Sequence, residues 1–242
     1  VILGILPKDV RIFTSKTEPV RLSLIVKDAK AHNAPERIQK YMFKVGDDMR
    51  QDQLVMQLFH IMNRLFILKD NDLNILTYKI LAISPTYGCM EFVDSTAAIF
   101  DIDSIDRKKN DISNFQCFKE LRLSETEKAN FLKSTIFHYL IQDNPTADTL
   151  KKRLDTYTKS LAGYTIMTYI LTIGDRHEHN ILITQDGHFL HIDFGFVFGD
   201  DAKPLTQPVR IRENFLLPID AKMNNALISV VTYAWPAFRE VR

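Results

Sequence analysis

A chain of 242 residues that is 45% apolar and 25% charged, with 8 glycines and 9 prolines, has the composition of an ordinary globular protein, which excludes collagen-like and disordered classes. Lys and Arg (31) nearly cancel Asp and Glu (30), so no global field draws it to nucleic acid or an anionic membrane, and any anion site must come from local placement. Cys89 and Cys117 lack CxxC or Cys/His spacing, which fits reduced thiols in a cytosolic protein rather than a disulfide frame or zinc site. No apolar run approaches the ~18–20 residues that cross a bilayer. The opening Val1 to Leu6 is too short for a signal peptide and has no basic flank. With no initiator Met, the chain is expected to be a fragment of a longer protein.

In chain order, residues 9–27 hold two alternating runs around Thr14 to Pro19 and predict a β-hairpin. Polar residues 28–39 read as a loop, and Tyr41 to Lys44 resumes a strand that Gly46 breaks. From Gln51 to Ile67 the helical spacing of Leu54, Leu58, Ile61, Met62 and Leu65 predicts an amphipathic helix with that face buried. Strands are expected at Leu76 to Ser84 and Met90 to Val93, joined through Pro85-Thr86-Tyr87-Gly88. Residues 101–130 are charged and aperiodic and read as a solvated insertion. Helical patterning returns over 131–142 and 148–173, and short strands at Ile181 to Thr184 and Phe189 to Asp193 flank the turn Gln185-Asp186-Gly187. Strands first and helices second predict an α+β fold of two lobes, 1–93 and 94–242, with a hinge near 93–95.

The chemistry concentrates in Gly174-Asp175-Arg176-His177-Glu178-His179-Asn180, followed by Asp193-Phe194-Gly195. Asn180 and Asp193, 13 residues apart and joined by a tight hairpin, would bring two hard oxygen ligands to one point, which suits Mg²⁺ held mainly by phosphates and water. Phosphoryl transfer needs such a metal, positioning, and a group that takes the acceptor's proton. Imidazole titrates near neutrality, so His177 fits the last role. The alternative for these residues is a satisfied loop histidine beside a buried aspartate. Lys44, ending a strand, fits a phosphate-binding lysine, with Asp52 in the next helix's first turn as its ion-pair partner; alone, Lys44 would read as an exposed strand-end lysine.

Together these residues resemble the phosphatidylinositol 3-/4-kinase family, and within it the class III phosphatidylinositol 3-kinases. The resemblance rests on Phe43 to Gln53, Thr77 to Ala82, and Tyr157 to Asp201. It implies a protein-kinase-like fold with a strand-rich N-lobe and a helical C-lobe, ATP as phosphoryl donor, and Mg²⁺ or Mn²⁺ as metal. Thr14, Ser15 and Lys16 fall where the family's phosphate loop lies. Lys44, Asp52 and Tyr78 would line the nucleotide site, and Glu91 and Val93 would bond adenine through their backbone, with Leu182 and Ile192 as its floor. Asp175, His177 and Asp193 would be catalytic, with Asn180 and Asp193 on the metal.

The segment 194–215 would read the lipid. It carries Lys203, Arg210 and Arg212 against Asp200 and Asp201, too little clustered charge to hold a phosphorylated headgroup. An unphosphorylated headgroup is therefore expected, and the resemblance to the class III enzymes implies that phosphatidylinositol is phosphorylated at the 3-position. A phosphatidylinositol 4-kinase, a protein kinase of the related large enzymes, and an inactive truncated kinase-like module are the alternatives. The resemblance further implies a peripheral location on endosomal or autophagic membranes, with a protein-kinase-like regulatory subunit and a coiled-coil autophagy regulator as partners. About thirty residues follow the lipid-reading segment, so the C-lobe is expected to be shortened. Their apolar seam of Ile228, Val231, Trp235 and Phe238 fits either a membrane-resting helix or a helix covering the lower lobe, and Pro236 would break or kink it.

Overall fold

The structure is a computed structural model describing residues 1–14, 17–30, 34–106, 111–202 and 211–219. The chain divides into two compact units, Val1–Phe59 with Thr77–Asp94, and His60–Leu76 with Ser95–Arg242.

The first unit is built on an antiparallel sheet. Strand β1 (Ile2–Ile5) leads through a short 3-10 turn at Pro7–Asp9 to β2 (Arg11–Ile12), β3 (Val20–Val26) and β4 (Arg37–Val45). After helix α1 (Arg50–Leu68) come β5 (Ile80–Ser84) and β6 (Tyr87–Glu91). The strand order is β1-β3-β4-β6-β5, with β2 also paired to β3. The expected hairpin is present as Arg11↔Arg21 and Ile12↔Val20, although β2 is short. The rest of that edge is taken by β1, pairing Ile2 with Val26 and Ile5 with Leu24; the opening run had been given no secondary structure. Strand β4 begins four residues before Tyr41, inside the stretch expected to be loop, because cross-strand partners on β3 draw Arg37 to Lys40 into the ladder. The turn between β5 and β6 is narrower than expected, since Tyr87 and Gly88 already pair in β6.

Helix α1 lies where its periodicity predicts, with the Asp48 carboxylate accepting the Arg50 amide at 3.1 Å as the chain enters its first turn. Its buried stripe is Val55, Met56, Phe59, Met62 and Phe66. Of the face expected to be buried, only Met62 is; Leu54 and Ile61 are 46% and 54% exposed, and Leu58 and Leu65 are half-buried. Both stripes recur at helical spacing, so period alone does not choose between them. The stripe carrying Phe59 and Phe66 removes more apolar area from water, roughly 25 cal/mol for each Å².

The second unit opens with β7 (Thr96–Ala98) and α2 (Ile99–Asp103), then α3 (Gln116–Lys119), α4 (Glu125–Lys133), α5 (Thr135–Ile141) and α6 (Ala147–Ile170). The stretch expected to be a solvated insertion instead contains α2 to α4, anchored by buried Ile102, Ile112, Cys117, Phe118 and Leu121. Helices of four or five residues are too short to express a 3.6-residue period, which hid them. Ser124 and Glu127 form a reciprocal capping box at the start of α4. Ser134 then ends α4 and caps α5, whose residues are all buried.

Helix α6 buries Leu150, Leu154, Tyr157, Leu161, Tyr164 and Met167 along one side. Tyr157 and Tyr164 meet Phe189 edge-on. That contact seats the hairpin of β8 (Ile181–Thr184) and β9 (Phe189–His191), which joins β7 in a three-stranded sheet. Buried Arg153 makes a bidentate pair with Asp143 at 2.6 and 2.8 Å, and these hydrogen bonds, with the guanidinium charge, hold that carboxyl below the usual carboxylate range. A final short helix, α7 (Glu213–Leu216), follows. Both thiols are free, half-buried at Cys89 and buried at Cys117, and burial pushes both pKa values up. Among the described residues no helix is long and apolar enough to cross a membrane.

Candidate catalytic site

In the first unit Lys44 lies opposite Gly88 on the β4–β6 ladder. Its Nζ donates to Asp47 at 3.1 Å, an ion pair where the sequence suggested Asp52. The loop residue reaches the ammonium because the chain turns at Gly46, whose φ is +82°. Asp52 is half-buried in the first turn of α1, and the neighbouring Gln53 accepts the Ala82 amide at 2.7 Å, tying helix to sheet. Tyr78 is buried. The Glu91 amide donates to the Lys79 carbonyl at 2.8 Å, and the Glu91 carboxylate takes the Lys79 amide at 2.9 Å. Val93 follows two residues after the end of β6. Ser15 and Lys16, Lys203 and Arg210, and the seam from Ile228 to Phe238 lie outside the described residues.

The second unit holds the richer constellation. Ile181 pairs with His191 across the β8–β9 hairpin, and the Ile192 amide donates to the Asn180 carbonyl at 3.0 Å. Asn180 and Asp193 therefore sit at the same open end of the hairpin. The far end turns at Gly187, with φ +96° and so little room that a Cβ would lie 2.1 Å from the Arg153 carbonyl. A tight turn at one end thus brings these two residues to the other. Leu182 and Ile192, also on this hairpin, are half-buried.

Asn180 is 6% exposed, and its Nδ2 donates to the Asp175 carbonyl at 3.1 Å. A carbonyl only accepts, so the amide's orientation is set and Oδ1 is the atom left for a cation. Asp193 is exposed, in the left-handed region at φ 61°. Phe194, just after it, is fully buried and anchors the segment. A side-chain amide and a carboxylate suit a hard cation that keeps most of its shell from phosphates and water. Among the described residues no group of three or more His, Cys, Asp or Glu could hold a metal.

His177 is half exposed, with Nε2 3.7 Å from Asp175 Oδ2. Its Nδ1 accepts the His179 amide at 3.3 Å, so the neutral ring carries its proton on Nε2, toward the carboxylate. Asp175 is itself left-handed, at φ 51°, and its amide donates to Asp201 at 3.3 Å.

Several residues given no role from the sequence organise this site. Arg176 donates from Nε to the Gly174 carbonyl at 2.7 Å, from one terminal nitrogen to Ile192 at 2.9 Å, and from the other to the Asp193 carbonyl. Its guanidinium also lies over the Phe194 ring, 5.5 Å from the centroid. A planar fork with several donors matches converging carbonyls, and its place inside the Asp-Arg-His triplet was the signal available. His191 is buried and stacks on Tyr164; desolvation, with the Arg176 charge nearby, pushes its pKa well below the ordinary value. Glu178 forms an ion pair with Arg212, and His179 stacks on Phe100 with centroids 4.2 Å apart.

The family model described as phosphatidylinositol 3- and 4-kinase matches residues 38–233. Phosphatidylinositol 3-kinase VPS34 of Saccharomyces cerevisiae is 37% identical over 204 residues, 84% of this chain and 20% of that protein. The root isoform of phosphatidylinositol 3-kinase from Glycine max is 35% identical, and phosphatidylinositol 3-kinase VPS34 of Arabidopsis thaliana 36%; each alignment covers 87% of this chain and 22% of the relative. The chain thus spans about a fifth of the length of the curated relatives it matches. With a family match across most of its length, and with the hairpin carrying Asn180 and Asp193 inside the matched segment, the chain belongs to the phosphatidylinositol 3- and 4-kinase family.

Proposed function

We propose that this chain is the catalytic part of a lipid kinase that transfers the γ-phosphate of ATP to the 3-hydroxyl of phosphatidylinositol. The observation that carries the reading is the hairpin end that holds Asn180 and Asp193, with Asn180 bonded to the loop of Asp175 and His177. The relatives named phosphatidylinositol 3-kinase support the choice of lipid and ring position.

In the proposed reaction the 3-hydroxyl oxygen forms a bond to the γ-phosphorus as the bond to the β,γ-bridging oxygen breaks. ADP leaves with the bridging electron pair, and His177 takes the hydroxyl proton, with the Asp175 carboxylate 3.7 Å from its Nε2. The unprotonated nitrogen of the neutral ring is Nδ1, which now accepts the His179 amide, so the imidazole has to leave that hydrogen bond to take the proton. Asn180 and Asp193 would hold Mg²⁺ or Mn²⁺, which when bound neutralises charge on the transferring phosphoryl group. Lys44 would hold the ATP phosphates together with the loop of Ser15 and Lys16. Because the Glu91 amide is committed to Lys79, adenine would bond the Glu91 carbonyl and the Val93 backbone, and Tyr78 and Asp52 are assigned to nucleotide binding in the same unit.

The two units are read as the N-lobe and C-lobe of a protein-kinase-like fold. Lys203, Arg210 and Arg212 belong to the lipid-reading segment in this reading, and the whole protein would act at endosomal or autophagic membranes with a protein-kinase-like subunit and a coiled-coil regulator.

Radiolabelled ATP and phosphatidylinositol vesicles, with chromatographic separation of the lipid products, test the activity. The expected product is phosphatidylinositol 3-phosphate, abolished by Asp193→Ala. A 4-phosphate product overturns the ring position, label on protein with none on lipid overturns the lipid reading, and undiminished turnover in Asp193→Ala overturns the metal role.

A further inference from the structure

An arginine beside a kinase's acceptor site would ordinarily attract phosphate. Arg212 stands at the N-cap of α7, and its guanidinium donates to the Glu178 carboxylate. Glu178 is in the catalytic loop, next to His177 and two residues before Asn180. Both side chains of the pair are partly shielded, 28% exposed for Arg212 and 39% for Glu178. We propose that Glu178 is a specificity-determining residue: by pairing with Arg212 it disarms the cation that would otherwise hold a ring phosphate, and so keeps the site selective for an inositol lipid bearing none. This inference rests on the lipid-kinase reading above and names its substrate class more narrowly.

Two features make the pair a selector rather than a loose surface contact. The first is that the segment carrying each partner is held by contacts other than the pair itself. The Glu178 carbonyl accepts the Phe100 amide at 3.3 Å, at the start of α2. On the other side, Asn214 donates to Asp103 at 2.6 Å and to Thr135 at 3.2 Å. The Phe215 carbonyl accepts the buried Tyr157 hydroxyl at 3.0 Å, and its ring packs against Phe189 with centroids 5.4 Å apart. Cutting the ion pair therefore leaves Arg212 beside the catalytic loop, where its donors become usable.

The second feature is the sign of the charges. A ring phosphate is close to a dianion and binds a guanidinium through charge-assisted hydrogen bonds. With Glu178 ionised, that phosphate meets an occupied guanidinium and a repelling carboxylate together. An unphosphorylated ring, having only hydroxyls, meets neither penalty. Discrimination by an unfavourable element against the wrong ligand is a general route to specificity.

The test is the turnover ratio of phosphatidylinositol 4-phosphate to phosphatidylinositol in vesicles of equal lipid content. For Glu178→Gln, which keeps shape and loses charge, the ratio is expected to rise roughly tenfold, the effect of one charge-assisted contact to the phosphate. Glu178→Leu should raise it likewise and provides a second variant should either fold poorly, as judged by thermal unfolding. Arg212→Gln should leave the ratio low, and Glu178→Gln with Arg212→Gln should return it to the parent value. A merely structural role for Glu178 would slow both lipids alike and leave the ratio unmoved. An unchanged ratio in both folded Glu178 variants overturns the proposal, as does a raised ratio that persists in the double variant. Absence of any 3-phosphorylated lipid from the unmodified protein is a separate outcome, which sinks the lipid-kinase reading and this inference with it.

Discussion

Arg176→Lys isolates what holds Asp193 in place, because it keeps the positive charge and removes the planar fork. The guanidinium joins the carbonyls of Gly174, Ile192 and Asp193. An ammonium on a flexible stem can satisfy one of them, so two bonds are lost. Hydrogen bonds to charged groups contribute about 1.5–3 kcal/mol each, and the partial exposure here argues for the low end, giving a loss of about 3 kcal/mol in stability. At ~2–4 °C per kcal/mol for a protein of this size, Tm should fall by roughly 6–12 °C. Turnover should fall independently of that. Asp193 sits at φ 61°, a region costing an L-residue roughly 1–2 kcal/mol relative to its favoured basins. If the clamp is what holds it there, its loss leaves roughly 3–16% of molecules with the carboxylate poised, and turnover drops about tenfold. Thermal unfolding by calorimetry, with turnover at saturating ATP and lipid well below Tm, measures both. A Tm within about 1 °C of the parent together with turnover within about twofold would refute the reasoning.

Asn180→Ala removes both the donor to Asp175 and the Oδ1 assigned to the metal, so half-maximal Mg²⁺ should rise by roughly tenfold or more while the protein stays folded; an unaltered Mg²⁺ titration contradicts the assignment. Gly187→Ala puts a Cβ 2.1 Å from the Arg153 carbonyl at φ +96°, and a loss of about 2–3 kcal/mol is expected in urea unfolding; an unchanged midpoint would show the turn is not confined. Alkaline pH should unfold the protein. Burial pushes the Tyr139 phenol up to about 12, and moves Tyr157 and Tyr164 the same way. A raised acid is more stable neutral, so its contribution is complete below the unfolded value near pH 10 and is lost as pH climbs through about 12. Tyr139→Phe should shrink that loss, and an unfolding free energy flat from about pH 9 to 12 would contradict it.

The hairpin of the candidate site was legible in the sequence because its information is local. The hairpin needs a turn at Gly187 and apolar residues either side, and the 13-residue spacing then brings Asn180 and Asp193 to one end. Helices α1 and α6 are long enough for their period to show. Where elements are only a few residues long, as in β1, α2 and α3, the chain holds too few repeats of a period for the pattern to show, and these elements were missed.

What the sequence determined, then, is the class of fold and the residue types brought to the site, since both follow from patterns a few residues wide. Tertiary structure alone decided which stripe of α1 is buried, that Lys44 pairs with Asp47, that Arg176 gathers three carbonyls around Asp193, and that Arg212 is spent on Glu178 34 residues away. Such choices depend on which side chains arrive at the same place from distant parts of the chain. The energy of a charge or an apolar face is set by that company, and linear spacing does not record it.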